Sequence, residues 1–210
     1  AVFDQAKSKG VKGDGFDQLE KKLKSVTSKN STAQEPSRDE QQGLINLYTQ
    51  GQYNETLTQA SQLLRQFPAS ITLYSLIGAA NQEQGKLDEA IEAYTKALSI
   101  KPDYASALNN MGNALQKQGK LEEAIEAFKK ALSIKPDYDE AYNDMGVALQ
   151  KQDKLEEAIE AFKKALSIKP DFAAAYNNMG IVLQKQGKLE MAIEAFKKAL
   201  SIKPDFTAAY

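Results

Sequence analysis

Any chemistry in this 210-residue chain must come from carboxylates, lysines, tyrosines and amides, because it contains no His and no Cys. Without Cys there is no thiolate nucleophile, disulfide, iron–sulfur cluster or thiol-based zinc site. Without His there is no imidazole base, no Ser-His-Asp triad and no facial-triad iron site. Three rows of polar side chains stand out by their spacing. Asn109, Asn143 and Asn177 recur every 34 residues, as do Asn110, Asp144 and Asn178, and also Lys117, Lys151 and Lys185. A side-chain amide carries both donors and an acceptor, so regularly spaced amides can pair with the backbone of an extended chain whatever its sequence. The lysine row would attract acidic groups through charge-assisted hydrogen bonds. Each row also has a plainer reading: the Asn residues as solvated polar positions near helix starts, and each Lys as a cation in the last turn of a helix, complementing its dipole.

The remaining candidates argue against an active site. The Glu residues concentrate in segments with Lys four residues on, as in Glu126/Lys130, Glu160/Lys164 and Glu194/Lys198, which is the pattern of a solvated helix face. No Gly-rich phosphate loop is present. No catalytic residue, metal ligand set or cofactor is therefore expected. Lys plus Arg number 27 and Asp plus Glu 28, so the net charge is −1 and there is no global pull toward nucleic acid or anionic lipid. With 42% apolar and 26% charged residues the chain is near globular averages, which argues against wholesale disorder. No apolar run approaches the roughly 20 residues a membrane helix needs. The opening Ala1, Val2, Phe3 and Asp4 carry no initiator Met and no signal-peptide pattern, and read as the start of a processed fragment.

What positions the polar rows is an internal repeat. Gly78, Gly112, Gly146 and Gly180 are 34 residues apart, and so are Ala90, Ala124, Ala158 and Ala192. The block KLEEAIEAFKKALSIKPD occupies 120–137 and 154–171, and returns at 188–205 with Met191 as its one change. A divergent copy spans 86–103, and an earlier one is traced through Gly51, Tyr53, Leu57, Ala60, Leu63 and Pro68. Five copies start at Ser37, Ile71, Ala105, Asp139 and Ala173, and a sixth begins at Thr207. Each reads as two helices. In the third copy Leu108, Met111, Ala114 and Leu115 form one apolar face, and Leu121, Ala124, Ile125, Phe128, Ala131 and Leu132 form another. Gly119 between them is placed as a left-handed helix terminator. Pro136 ends the second helix, and Asp137 is placed to cap the next, with Glu140 completing a capping box. Asp153 stands where Gly119 and Gly187 stand in neighbouring copies, so a left-handed Asp is expected there.

The pattern resembles the tetratricopeptide repeat family, carried by Tyr176, Gly180, Ala192, Phe196, Ala199 and Pro204 and recurring over 37–210. The resemblance implies an all-α, right-handed superhelical solenoid of antiparallel helix pairs, with five repeats plus the start of a sixth. It also implies a non-enzymatic interaction scaffold whose partner is a protein or peptide lying in a concave groove lined by the first helices. Carried onto this chain, the groove positions are Ser106, Asn109, Asn110, Asn113, Gln116 and Lys117 in the third copy. They are Glu140, Asn143, Asp144, Val147, Gln150 and Lys151 in the fourth, and Ala174, Asn177, Asn178, Ile181, Gln184 and Lys185 in the fifth. The row at 110 and 178 is similar to the asparagine ladder of O-linked N-acetylglucosamine transferases, interrupted here by Asp144. The family's clamp for chaperone C-terminal carboxylates is not matched, since from Ala105 only Asn113 fits it. Alternatives are the substrate-recruiting arm of a larger transferase-like enzyme, or a scaffold that self-assembles through its uncapped ends. The first copy departs most, with Gly43 and Leu44 in place of the apolar–Gly pair and Thr56 in place of a small Ala.

Outside the array, 1–36 reads as an extension: a Gly- and Lys-rich linker over 5–15, then an amphipathic helix over 16–28 with Phe16, Leu19, Leu23 and Val26 on one face. That helix is expected to cap the first repeat, with 31–37 as a hinge. At the other end the last hairpin exposes its stacking face, so either the parent chain continues or the end pairs with another molecule, for instance a second copy.

Overall fold

The computed structural model describes residues 35–204, so the expected linker, the helix over 16–28 and the start of a sixth copy at Thr207 lie outside the described residues. The described chain is ten helices joined by short turns. They are α1 (Arg38–Thr49), α2 (Tyr53–Leu64), α3 (Ile71–Glu83), α4 (Leu87–Ile100), α5 (Ala105–Lys117), α6 (Leu121–Ile134), α7 (Asp139–Lys151), α8 (Leu155–Ile168), α9 (Ala173–Lys185) and α10 (Leu189–Ile202). Each helix packs on its chain neighbours, and first helices of adjacent pairs touch, which makes an all-α solenoid.

Within a pair the close contact is set by missing atoms. A Cβ added to Gly112 would sit 2.6 Å from the Phe128 ring, and at Gly78, Gly146 and Gly180 the clash with Tyr94, Phe162 and Phe196 is just as close. The ring therefore lies where only glycine leaves room, and Tyr94, Phe128 and Phe162 are almost wholly buried. In the first pair the large and small partners trade helices. Leu44 takes the glycine's place, Ala60 takes the ring's, and both lie in one buried cluster with Leu73. Thr56, also fully buried, satisfies its hydroxyl by donating to the Gln52 carbonyl at 2.9 Å.

The turn after α5 shows how the first helices end. The Lys120 N–H reaches back to the Leu115 carbonyl at 3.0 Å and the Gly119 N–H to Gln116 at 3.1 Å, with Gly119 at φ +80°. Those bonds occupy carbonyls that the helix end leaves open. After α7 the same bonds form around Asp153, at φ 59°, as expected from its place in the repeat.

Helix starts differ from expectation. Asp137 does not cap α7 and makes no capping box with Glu140, because the cap position falls one residue later, on Tyr138, which has no side-chain cap. Tyr138 instead packs against Ala105, Leu108 and Ala131 of the preceding pair, with the Lys135 ammonium 4.4 Å from its ring centre. Ser37 and Glu40 do form a capping box, and Ser70 caps α3. The expected hinge is anchored over its last residues. Pro36 is buried, the Gln41 amide donates to the Pro36 carbonyl at 2.7 Å, and the Glu35 carboxylate accepts from the Ser70 hydroxyl and from the Ile71 N–H at 2.8 Å. On the outer face Glu126 pairs with Lys130 at 3.7 Å, whereas Glu160 pairs with Lys163 rather than Lys164. All four are well exposed, so water and salt screen both pairs and neither adds much to stability.

At the last pair the stacking surface is open. Ile193 is 53% exposed, whereas its equivalents Ile125 and Ile159 are 7% exposed under the following pair. Among described turns Asp153 alone holds a left-handed backbone with a Cβ. Asp153→Gly should therefore raise stability by about 1 kcal/mol; a urea melt showing no gain would mean the site is not strained.

Candidate functional site

The first helices α3, α5, α7 and α9 stand side by side, and helical spacing puts the expected groove positions of each on one face. Their exposure is graded. Asn109, Asn143 and Asn177 are buried, at 4%, 8% and 4% exposed. Asn110, Asn113, Gln116, Asp144, Gln150 and Asn178 are half-buried, as are Val147, Ile181 and Ala174. Lys117, Lys151, Lys185 and Gln184 are exposed, with Ser106 and Glu140.

The two asparagine rows meet each other. Asn178 Nδ2 donates to Asn143 Oδ1 at 2.9 Å, joining the fifth position of one repeat to the sixth of the next. One repeat earlier, Asp144 accepts from Asn109 Nδ2 at 3.1 Å, Asn113 Nδ2 at 2.7 Å and Asn143 Nδ2 at 3.3 Å. Asn109 and Asn143 thus hold neighbouring repeats together, and a buried amide contributes only while it is paired; Asn177 makes no such tie among the described residues, and its Oδ1 is without a partner. Desolvation, and then the neighbouring Asp139 carboxyl, push the Glu140 carboxyl above its usual range.

A second row of ties went unread in the sequence. The Gln84 amide donates to Asn54 at 2.8 Å, Gln118 to Asp88 at 2.7 Å and Gln186 to Glu156 at 2.9 Å. Each runs from the end of a first helix to the start of the preceding second helix. The available signal was the recurrence of Gln84, Gln118, Gln152 and Gln186 at one place in four copies.

On the opposite face of the first helices a shallow apolar hollow recurs. One of about 380 Å³ is floored by Tyr142, Met145, Leu149 and Ala161 and rimmed by Glu160 and Lys164. Its counterpart one repeat on, about 350 Å³, is floored by Tyr176, Met179, Leu183 and Ala195. These four residues are the same in the fourth and fifth copies, while Leu108 stands for the Tyr in the third and Ile77 and Asn81 stand for the Met and Leu in the second. The concave positions vary more: Leu76, Asn110, Asp144 and Asn178 occupy one row, and Ala79, Asn113, Val147 and Ile181 another. Among the described residues no helix is long and apolar enough to cross a membrane.

These features define an all-α solenoid of helix pairs whose first helices present a variable polar face on a near-constant frame. Family models agree: tetratricopeptide repeat models match residues 103–171 and 173–206, and a third matches 82–119. The chain belongs to the tetratricopeptide repeat family. No curated protein matches it. Among solved structures it is similar to MamA, at 27% identity over 79% of this chain and 96% of that one, with a TM-score of 0.68. It shares the fold of PilF of Pseudomonas aeruginosa, at 21% identity, 78% and 74% coverage and a TM-score of 0.72. It also shares that of YrrB, described as a repeat protein with an unusual peptide-binding site, at 21% identity, 89% and 94% coverage and a TM-score of 0.63.

Proposed function

We propose that this protein is a non-catalytic interaction scaffold that receives an extended segment of a partner protein along the face made by α3, α5, α7 and α9. One observation carries the reading: the packing positions barely change between copies while the half-buried positions on this face do. A frame held constant with a varied surface is the arrangement that selects one partner sequence over another. The peptide-binding site reported for the similarly folded YrrB is in keeping with it. The contact residues are Asn110, Asn113, Gln116, Asp144, Gln150, Asn178 and the exposed Lys117, Lys151, Gln184 and Lys185. Asn109 and Asn143 act from behind, by fixing how one repeat meets the next.

Peptides selected on the protein from a displayed random library test this. Binding should be lost in Asn110→Arg/Val147→Arg, which fills the concave face, and kept in Tyr142→Ala/Met145→Ala, which alters the opposite hollow. The reverse pattern would move the site to the hollows.

A second reading has its own observation. Leu189, Met191 and Ile193 are each more than half exposed on α10, and two such faces can pair in a self-complementary dimer. Sedimentation equilibrium should then show a dimer that Ile193→Lys dissociates; a constant monomer mass over a wide concentration range would dispose of it.

A further inference from the structure

We infer that the partner segment carries a basic side chain, arginine or lysine, which seats on Asp144 where the third and fourth repeats meet; this rests on the concave-face reading above. The observation is a break in the asparagine ladder. Where the ladder is regular, the sixth-position amide Asn178 donates to the fifth-position Asn143 Oδ1. Asp144 in the equivalent place has no N–H to give. Asn109 therefore turns its own N–H toward Asp144, and its Oδ1 is left without a partner although the residue is only 4% exposed. A buried acceptor with no donor is unfavourable, so Asp is the poorer residue for the ladder.

What surrounds Asp144 is one-sided. Its three hydrogen-bond partners, Asn109, Asn113 and Asn143, are neutral amides, and they supply their N–H groups to it. The acceptors here are the carboxylate together with Asn109 Oδ1 and Gln116 Oε1 of the preceding first helix, both buried and without a partner; the exposed Lys117 ends that helix, about two turns beyond Asn109. Glu140, one turn earlier on α7, adds a second carboxylate, while the nearby Lys169 is drawn to Asp139 at 3.8 Å. Lys151 lies two turns along α7 from Asp144, about 10 Å by the helical rise. A group rich in N–H and positively charged matches these acceptors. Guanidinium offers five N–H groups in a plane and ammonium offers three.

The experiment uses pools of randomised extended peptides whose central residue is fixed as Arg, as its neutral isostere citrulline, or as Glu. Retention is measured on the full chain and on Asp144→Asn, alongside thermal melts of both. The expected result is about tenfold stronger retention of the Arg pool than of the citrulline pool at low salt, as for a hydrogen bond to a charged group. Asp144→Asn should abolish that preference and melt no lower than the parent, because Asn restores a donor for Asn109 Oδ1. Equal retention of the Arg and citrulline pools, preference for the Glu pool, or an Arg preference that survives in Asp144→Asn would each overturn the inference while leaving concave-face binding intact. Retention of no pool would overturn both.

Discussion

The fit of an aromatic ring over a residue with no side chain is the contact on which the rest of this structure depends. At four crossings a glycine of the first helix faces a ring of the second, and an added Cβ would lie 2.5–2.6 Å from ring carbon. Protein interiors are packed too tightly to absorb such an overlap without displacing a helix. The fit therefore fixes how closely the two helices of a pair approach. Repeated at the same place in successive copies, it gives each pair the same shape, and equal pairs stacked in sequence form a regular solenoid. The first pair shows that the constraint is one of volume rather than residue type, since Leu44 and Ala60 fill the crossing from the other side.

Between pairs, polar ties supplement apolar stacking. Asn178 with Asn143, Asn109 with Asp144, and the helix-end Gln84, Gln118 and Gln186 with Asn54, Asp88 and Glu156 between them join each repeat to the one before it. Apolar contact tolerates sliding, whereas a buried amide is favourable only in the register that pairs it. These ties thus set the register in which the first helices stand side by side. That register in turn positions Asn110, Asp144, Asn178, Val147 and Ile181 as one surface.

Much of the fold was legible because it depends on local pattern. A period of 34 residues, two apolar faces per copy and a turn glycine place every described helix, and the left-handed Asp153 follows from its neighbours Gly119 and Gly187. What was not legible depends on how copies meet. Asp137 has the chemistry of a cap, yet Tyr138 holds the cap position because its ring packs on the preceding pair. The stretch before Ser37 has a hinge's composition, but Glu35 and Pro36 are held by α1 and α3. The fifth-position asparagines read as ligand-facing because nothing in one copy shows that they oppose the sixth position of the next. Within that row the substitution of Asp for Asn at 144 was visible, but its consequence for Asn109 needed the geometry.

A double-mutant cycle at one crossing tests the central claim most directly. Gly146→Leu and Phe162→Ala, alone and together, would be compared by urea unfolding, reproducing in the fourth pair the arrangement of Leu44 and Ala60. Phe162→Ala alone should cost about 3–5 kcal/mol through the cavity it leaves, and Gly146→Leu alone about 1–3 kcal/mol or more through overlap with the ring. Together they should recover much of that loss, with a coupling of about 2 kcal/mol or more. Strictly additive losses would show that the ring and the glycine do not define one shared volume, and would contradict the account.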